Sequence, residues 1–156
     1  MTAQEVITAL NLEPLTMEGG YFRRNYCSDQ VLNGKPIATA IYYLLTPDSF
    51  SRLHKLPSDE VYHFYMGDPV ELTVLSPDGS AQTVTLGTDL KKGMIPQFCV
   101  HANQWQGSCL APNGAWALVG TTMAPGFKDE DFVAGVRDAL IAQYPNFREK
   151  IIKLTP

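Results

Sequence analysis

The chain has 156 residues, a formal net charge of −4 and 18% charged residues, against roughly a quarter in an ordinary soluble domain. A hydrophobic share of 45%, with 12 glycines and 11 prolines spread along the chain, excludes a disordered acidic segment and a coiled coil. The basic residues are scattered, only Arg23–Arg24 and Lys91–Lys92 being adjacent, which argues against nucleic-acid binding, and no apolar run nears the ~20 residues that span a bilayer.

Thr2 and Glu5 stand at capping-box spacing and predict a helix to about Leu12, with Val6, Ile7 and Leu10 as its buried stripe. Glu18-Gly19-Gly20-Tyr21-Phe22-Arg23 reads as a turn entering a strand, and Asn33-Gly34 as a tight turn. Strands are expected at 37–45, 50–56 and 60–67. A hairpin follows over 70–75 and 81–86, turning at Ser76-Pro77-Asp78-Gly79. After a turn at Lys91-Lys92-Gly93, further strands are expected at 97–100, 104–110 and 116–123. Asp131 to Ala134 reads as a last short strand. Val136, Leu140 and Ile141 keep a helical period to Tyr144, Pro145 breaks it, and a final turn covers 147–152.

Short strands with turns every 8–12 residues predict an all-β sandwich or barrel, organised as one domain over residues 1–156. A chain of this size can bury roughly 70% of its unfolded surface and needs no staples. Cys27, Cys99 and Cys109 form an odd set without metal-type spacing and are expected as reduced thiols. With the first basic residue at Arg23, no signal-peptide n-region is present, so a cytoplasmic location is expected.

Ile41-Tyr42-Tyr43-Leu44-Leu45 and Val61-Tyr62-His63-Phe64-Tyr65-Met66 are apolar on both faces. An antiparallel strand with one wet face would alternate. One face is therefore expected to line a barrel. The other is expected to meet the terminal helices or a second subunit, with a homodimer preferred as the commonest symmetric assembly.

The segment from Ser51 to Gly67 carries the chemistry. His54, Glu60 with three residues between it and Leu56, and Gly67 with six residues between it and Glu60 resemble the first motif of the cupin superfamily, with Leu56 where that motif has its second His. Gly93, Pro96 and the stretch to Gln106 resemble the second motif, with Gln106 in the place of its His. Glu18-Gly19-Gly20-Tyr21-Phe22-Arg23, Ala40 to Leu45, Ser58 to Tyr65, Pro96-Gln97, Trp105-Gln106 and Ala124-Pro125-Gly126-Phe127 together look like an uncharacterised cupin branch catalogued as a domain of unknown function. The resemblance implies a cupin jelly roll, a double-stranded β-helix barrel with short N-terminal and C-terminal helices, and a homodimer. His101 and Asn103 replace the Pro and Gly usual in that branch. The branch is also similar in fold to deoxysugar-nucleotide epimerases, whose base-bearing strand resembles Leu53-His54.

Three functional readings follow from these residues. One is an isomerase or epimerase acting on a sugar-like or nucleotide-linked small molecule, with His54 as base, Glu60 orienting it and Arg23 contacting an anion. The second is a non-catalytic module binding a small polar ligand, and the third is a metal-dependent cupin enzyme with a reduced ligand set, His54 and Glu60. Tyr62, Gln97, Trp105 and Gln106 complete the expected binding site in the first two cases. Each residue also has a plain structural role open to it. His54 can be a hydrogen-bonded core histidine, Glu60 can pair with Arg23 or Arg52, the aromatics can be core, and the glutamines can be surface or interface. No cofactor is expected: a divalent metal would find only His54 and Glu60 as good ligands, because Gln106 is a poor substitute for imidazole. His63 is expected on the opposite sheet face from Glu60.

Overall fold

The structure is a computed structural model that describes residues 1–156. Helix α1 (Ala3–Leu10) opens the chain, and Thr2 and Glu5 close the predicted capping box on it. It ends two residues early, because Asn11 takes the left-handed conformation and turns the chain away. Strands follow as β1 (Glu13–Pro14), β2 (Tyr21–Cys27), β3 (Val31–Leu32), β4 (Lys35–Pro36), β5 (Thr39–Leu45), β6 (Ser51–Lys55) and β7 (Glu60–Gly67). Then come β8 (Val70–Leu75), β9 (Ala81–Leu86), β10 (Gln97–Val100), β11 (Trp105–Leu110), β12 (Ala117–Met123) and β13 (Val133–Ala134). Helices α2 (Arg137–Gln143) and α3 (Arg148–Lys153) end the chain. Strand β1 was not foreseen: its two residues carry no periodicity, and only pairing with Tyr21 and Phe22 makes them a strand.

The strands form two large antiparallel sheets, ordered β1-β2-β5-β12-β7-β10 and β13-β6-β11-β8-β9, the arrangement of an all-β jelly roll. Between them lies the main core, with Tyr43, Leu45, Tyr62, Val70, Leu72, Val74, Val100 and Val119 all buried. Register shifts in β2, β11 and the β12–β7 pair bend the strands, as closure of two sheets around one interior requires.

The outer faces are covered unequally. Val6 of α1 packs on Leu44 and Leu118 outside the first sheet, and Leu140, Tyr144, Ile151 and Leu154 of the C-terminal helices pack on Leu53 and Leu75 outside the second. Helix cover stops short of the far end of β7, where Tyr65 and Met66 are each 46% exposed. His63 faces this side too, donating from Nε2 to Thr122 Oγ1 and accepting from the Gln97 amide. No helix is long and apolar enough to cross a membrane.

Candidate functional site

A cavity of about 550 Å³ opens between the segment 13–18 and the inner faces of β2, β5, β7 and β12. Four carboxylate residues line it: Glu13 and Asp129 are exposed at its rim, and Glu60 and Glu18 lie deeper. Glu18 was not among the expected site residues. Its position is set by backbone sterics. Gly19 and Gly20 have φ of 109° and 70°, and a Cβ on Gly19 would lie 2.2 Å from the Phe50 carbonyl oxygen. Only glycine lets this turn lie against the start of β6. There the Glu18 carbonyl accepts from the Arg52 N–H at 2.9 Å, and Ser51 Oγ donates to Glu18 Oε1 at 2.5 Å. The residue borders two cavities, but its carboxyl group is enclosed by protein. That enclosure raises its pKa to about 7, against the opposing pull of the Ser51 hydrogen bond.

Glu60 opens β7 and points inward. Gln106 Nε2 donates to its Oε2 at 2.7 Å. Burial pushes the Glu60 carboxyl up and the charge of Glu18 pushes it further, while His54, Thr121 and Gln106 pull it down. Neither Arg23 nor Arg52 forms an ion pair with it. Tyr43, which donates to the Gly19 carbonyl at 2.9 Å, and Tyr62 have phenols raised far above their ordinary value by burial and by these carboxylates. Both phenols therefore stay neutral and remain possible proton donors in hydrogen bonds.

His54 lies opposite Gln106 in the β6–β11 ladder. It shares the interior with Glu60, but the two strands are not neighbours: β6 and β7 are consecutive in the chain and sit in different sheets, facing each other across the barrel. His54 Nδ1 lies 2.7 Å from the Arg52 carbonyl oxygen, so that nitrogen carries the proton and donates. The ring stacks on Phe132 at 4.8 Å and does not line the cavity. Burial lowers its pKa, with Glu60 opposing, so it is neutral at physiological pH.

Of the expected residues, His54, Glu60, Tyr62 and Gln106 are buried in the interior, where Gln106 meets Glu60 and Glu60 alone of the four lines the cavity, while Gln97 and Trp105 are elsewhere. Gln97 shares the outer face with His63, and Trp105 packs against the C-terminal layer with the Lys55 ammonium 4.8 Å from its ring. Arg23 is at the cavity rim, but its guanidinium donates to the Leu10 carbonyl at 3.1 Å and closes the end of α1. Its neighbour Arg24 shares the inward face of Phe22 and borders the cavity beside the Phe127 ring. Adjacent strand residues point to opposite faces, which turns Trp105 away from the interior that Gln106 enters and leaves Arg23 touching the cavity only at its rim. Glu18 carried a sequence signal as well, the Gly-Gly turn directly after it.

A family model described as Cupin superfamily (DUF985) matches residues 4–134. The crystal structure of protein SO0799 from Shewanella oneidensis is 34% identical and superposes with a TM-score of 0.93, over 100% of this chain and 98% of that one. A hypothetical protein from Leishmania major is 30% identical, with a TM-score of 0.92 over 99% of each chain. The uncharacterized protein YML079W of Saccharomyces cerevisiae is 30% identical over 133 residues, 73% of this chain and 66% of that protein, so the chain spans just under two thirds of this relative. Oxalate decarboxylase from Bacillus subtilis shares 14% identity and a TM-score of 0.58, over 88% of this chain and 35% of its own, which is a likeness of fold alone.

The cupin motif that His54 and Glu60 resemble, when its three imidazoles and one carboxylate are complete, suits a divalent metal, and the donors here do not fit one. Leu56, in the place of the motif's second His, lines the cavity with its apolar side chain. Gln106 aims an N–H at Glu60, satisfying the oxygen that a cation would take, and its own buried Oε1 has no partner.

Proposed function

The chain belongs to the cupin superfamily, in the branch described as DUF985, and from that premise we propose that it binds a small polar molecule in the barrel cavity and moves a proton on it, without a resident metal. The observation that carries this is the pair of buried carboxylates, Glu18 and Glu60, lining one cavity with their pKa values both raised. Two interacting carboxyls in one cavity favour a state with one proton between them. Gln106 donates to Glu60 and favours its charged form, whereas Glu18, raised to about 7, is protonated in a large fraction of molecules at neutrality. Glu60 then serves as base and Glu18 as acid.

This pairing suits isomerisation next to a carbonyl. Glu60 takes a proton from the carbon beside the C=O, the C–H pair becomes the C=C bond, and Glu18 gives its proton to the carbonyl oxygen. Return of a proton to the other face or the neighbouring carbon completes an epimerisation or isomerisation, with no change of oxidation state. His54, neutral and away from the cavity, is not the base in this reading. Arg24 at the rim suits an anionic substituent on the ligand, such as the phosphate of a sugar nucleotide or sugar phosphate.

The test is proton exchange in deuterium oxide. A panel of carbonyl-bearing sugars and sugar nucleotides is incubated with the protein and followed by NMR for loss of the C–H signal. Exchange is expected with at least one of them, slowed by about 10²–10⁴ in both Glu18→Gln and Glu60→Gln, with ligand binding retained. Binding without exchange in the wild type would leave only the non-catalytic reading. Exchange at the wild-type rate in both variants would remove the carboxylate pair as the proton carriers.

The same reading extends to assembly as a homodimer through the outer face of β7, supported by Tyr65 and Met66, which border an apolar groove with Tyr42, Leu118 and α1. Sedimentation equilibrium is expected to give twice the chain mass, and Tyr65→Lys to shift it toward one chain. A monomeric wild type would overturn this.

A further inference from the structure

Away from the barrel cavity, three potential metal ligands of different chemistry converge at the edge of the first sheet. Asp59 ends the turn between β6 and β7, Cys99 is on β10 and His101 is two residues further on. One donor atom from each lies within 4.8 Å of the other two. His101 Nδ1 is 3.4 Å from Asp59 Oδ2 and 3.9 Å from Cys99 Sγ. The first of these is longer than a good hydrogen bond, and a thiol is a weak partner for a ring nitrogen. They are close to what a tetrahedral cation imposes. Zn–N near 2.0 Å and Zn–S near 2.3 Å place neighbouring ligand atoms about 3.3–3.6 Å apart.

The cluster rests on a fixed frame. Asp59 Oδ1 accepts from the Ala102 N–H at 2.8 Å, leaving Oδ2 for His101. Gln104 Oε1 accepts from the His101 N–H at 2.8 Å, and the Asn103 N–H donates to the Leu56 carbonyl at 2.8 Å. The His101 and Asp59 side chains are 71% and 51% exposed, so a cation can enter directly, and Cys99 and His101 can close the last few tenths of an ångström. Cys99 also shares the outward face of β10 with Gln97, pointing away from the barrel interior.

We propose that Asp59, Cys99 and His101 form a surface site for a zinc-class divalent cation, with the fourth coordination position open to water or another ligand. One thiolate, one imidazole and one carboxylate suit zinc and disfavour the all-oxygen cations magnesium and calcium. Partial burial, and the charge of Asp59 beside it, raise the Cys99 thiol. The cation must therefore displace a proton from sulfur as it binds.

The experiment uses the full chain, purified without a polyhistidine tag and stripped of metal. Cobalt(II) is titrated as an optical probe and zinc(II) then competed against it. One cobalt per chain is expected, with the near-ultraviolet absorption of a thiolate–cobalt bond, displaced by zinc. Cys99→Ser should abolish that absorption, and His101→Ala should weaken zinc binding at least about tenfold. Cys27→Ser, which removes the other surface thiol, should leave both unchanged. No cysteine borders the barrel cavity, so a thiolate band cannot come from His54 and Glu60. Absence of the band, or a band that survives Cys99→Ser, would overturn the proposal.

Discussion

Glu18→Gln should make the protein more stable in mildly alkaline solution, by up to about 3 kcal/mol at about pH 8, and leave its stability unchanged below about pH 4.5. The sign follows from the direction of the shift. The Glu18 carboxyl titrates at about 7 in the fold and near 4.5 when free of it. Below the lower value both states hold the proton and no penalty exists. Between the two values the unfolded chain ionises freely while the fold holds its proton, so stability falls, and above about 7 the fold carries the enclosed carboxylate with the penalty complete. Each pKa unit is worth about 1.4 kcal/mol, which sets the upper limit; water reaching the carboxyl through the cavity mouth lowers it. Glutamine keeps the oxygen that accepts from Ser51 and removes the charge. It also frees Glu60 of its like-charged neighbour, which acts in the same direction. Urea unfolding at a series of pH values measures both limbs. Parallel curves for wild type and variant would show that Glu18 titrates as an ordinary solvated carboxylate, and the acid assigned to it in the proposed mechanism would go with it.

Leu53→Ala is expected to cost about 2–5 kcal/mol, the range for removing a fully enclosed leucine. Leu53 is completely buried although it faces outward from the barrel. It packs with Leu75, Leu140, Tyr144, Ile151 and Leu154, its N–H donates to the Leu154 carbonyl at 2.8 Å, and its own carbonyl accepts from the Gly135 N–H at 2.7 Å. The family match ends at residue 134, so the helices held by this leucine lie beyond it. Chemical denaturation gives the stability loss, and limited proteolysis should show new cleavage after Gly135 as the C-terminal layer loosens. A loss below about 1 kcal/mol, with no new cleavage, would mean that this layer contributes little to the fold.

The interior pair His54 and Glu60 was legible because a histidine and a carboxylate stand at a recognisable spacing among strands too apolar to leave them unexplained. Their partners were legible only in part, since Gln106 was expected in the same site and Phe132 was not. Glu60 meets Gln106 from 46 residues away, and His54 meets Phe132 and its own strand's carbonyl. Trp105, Gln97 and Arg23 are residue types that suit a binding site, but strand parity turns Trp105 and Gln97 to other faces and leaves Arg23 at the cavity rim, its guanidinium on the Leu10 carbonyl. Parity was available from the sequence through the inward Phe98 and Val100, Phe22 and Gln106. It needs one known inward residue per strand, and a register shift such as that in β11 resets it.

The sequence alone determined most of the elements, β1 excepted, and the class of fold, because capping, turn residues and apolar runs act over a few neighbouring positions. Thr2 with Glu5, Asn33-Gly34, the 70–86 hairpin and the break at Pro145 are all local events. It also implied that the low charge content reflected strands covered on both faces, as α1 and the C-terminal helices partly show. Only the tertiary structure decided that β6 and β7 face each other from different sheets, that Glu18 joins Glu60 in one cavity, and that Asp59, Cys99 and His101 meet at an edge. Each of these depends on which distant segments pair. Pairing is settled by the packing of the whole barrel, and no short stretch of the chain encodes it.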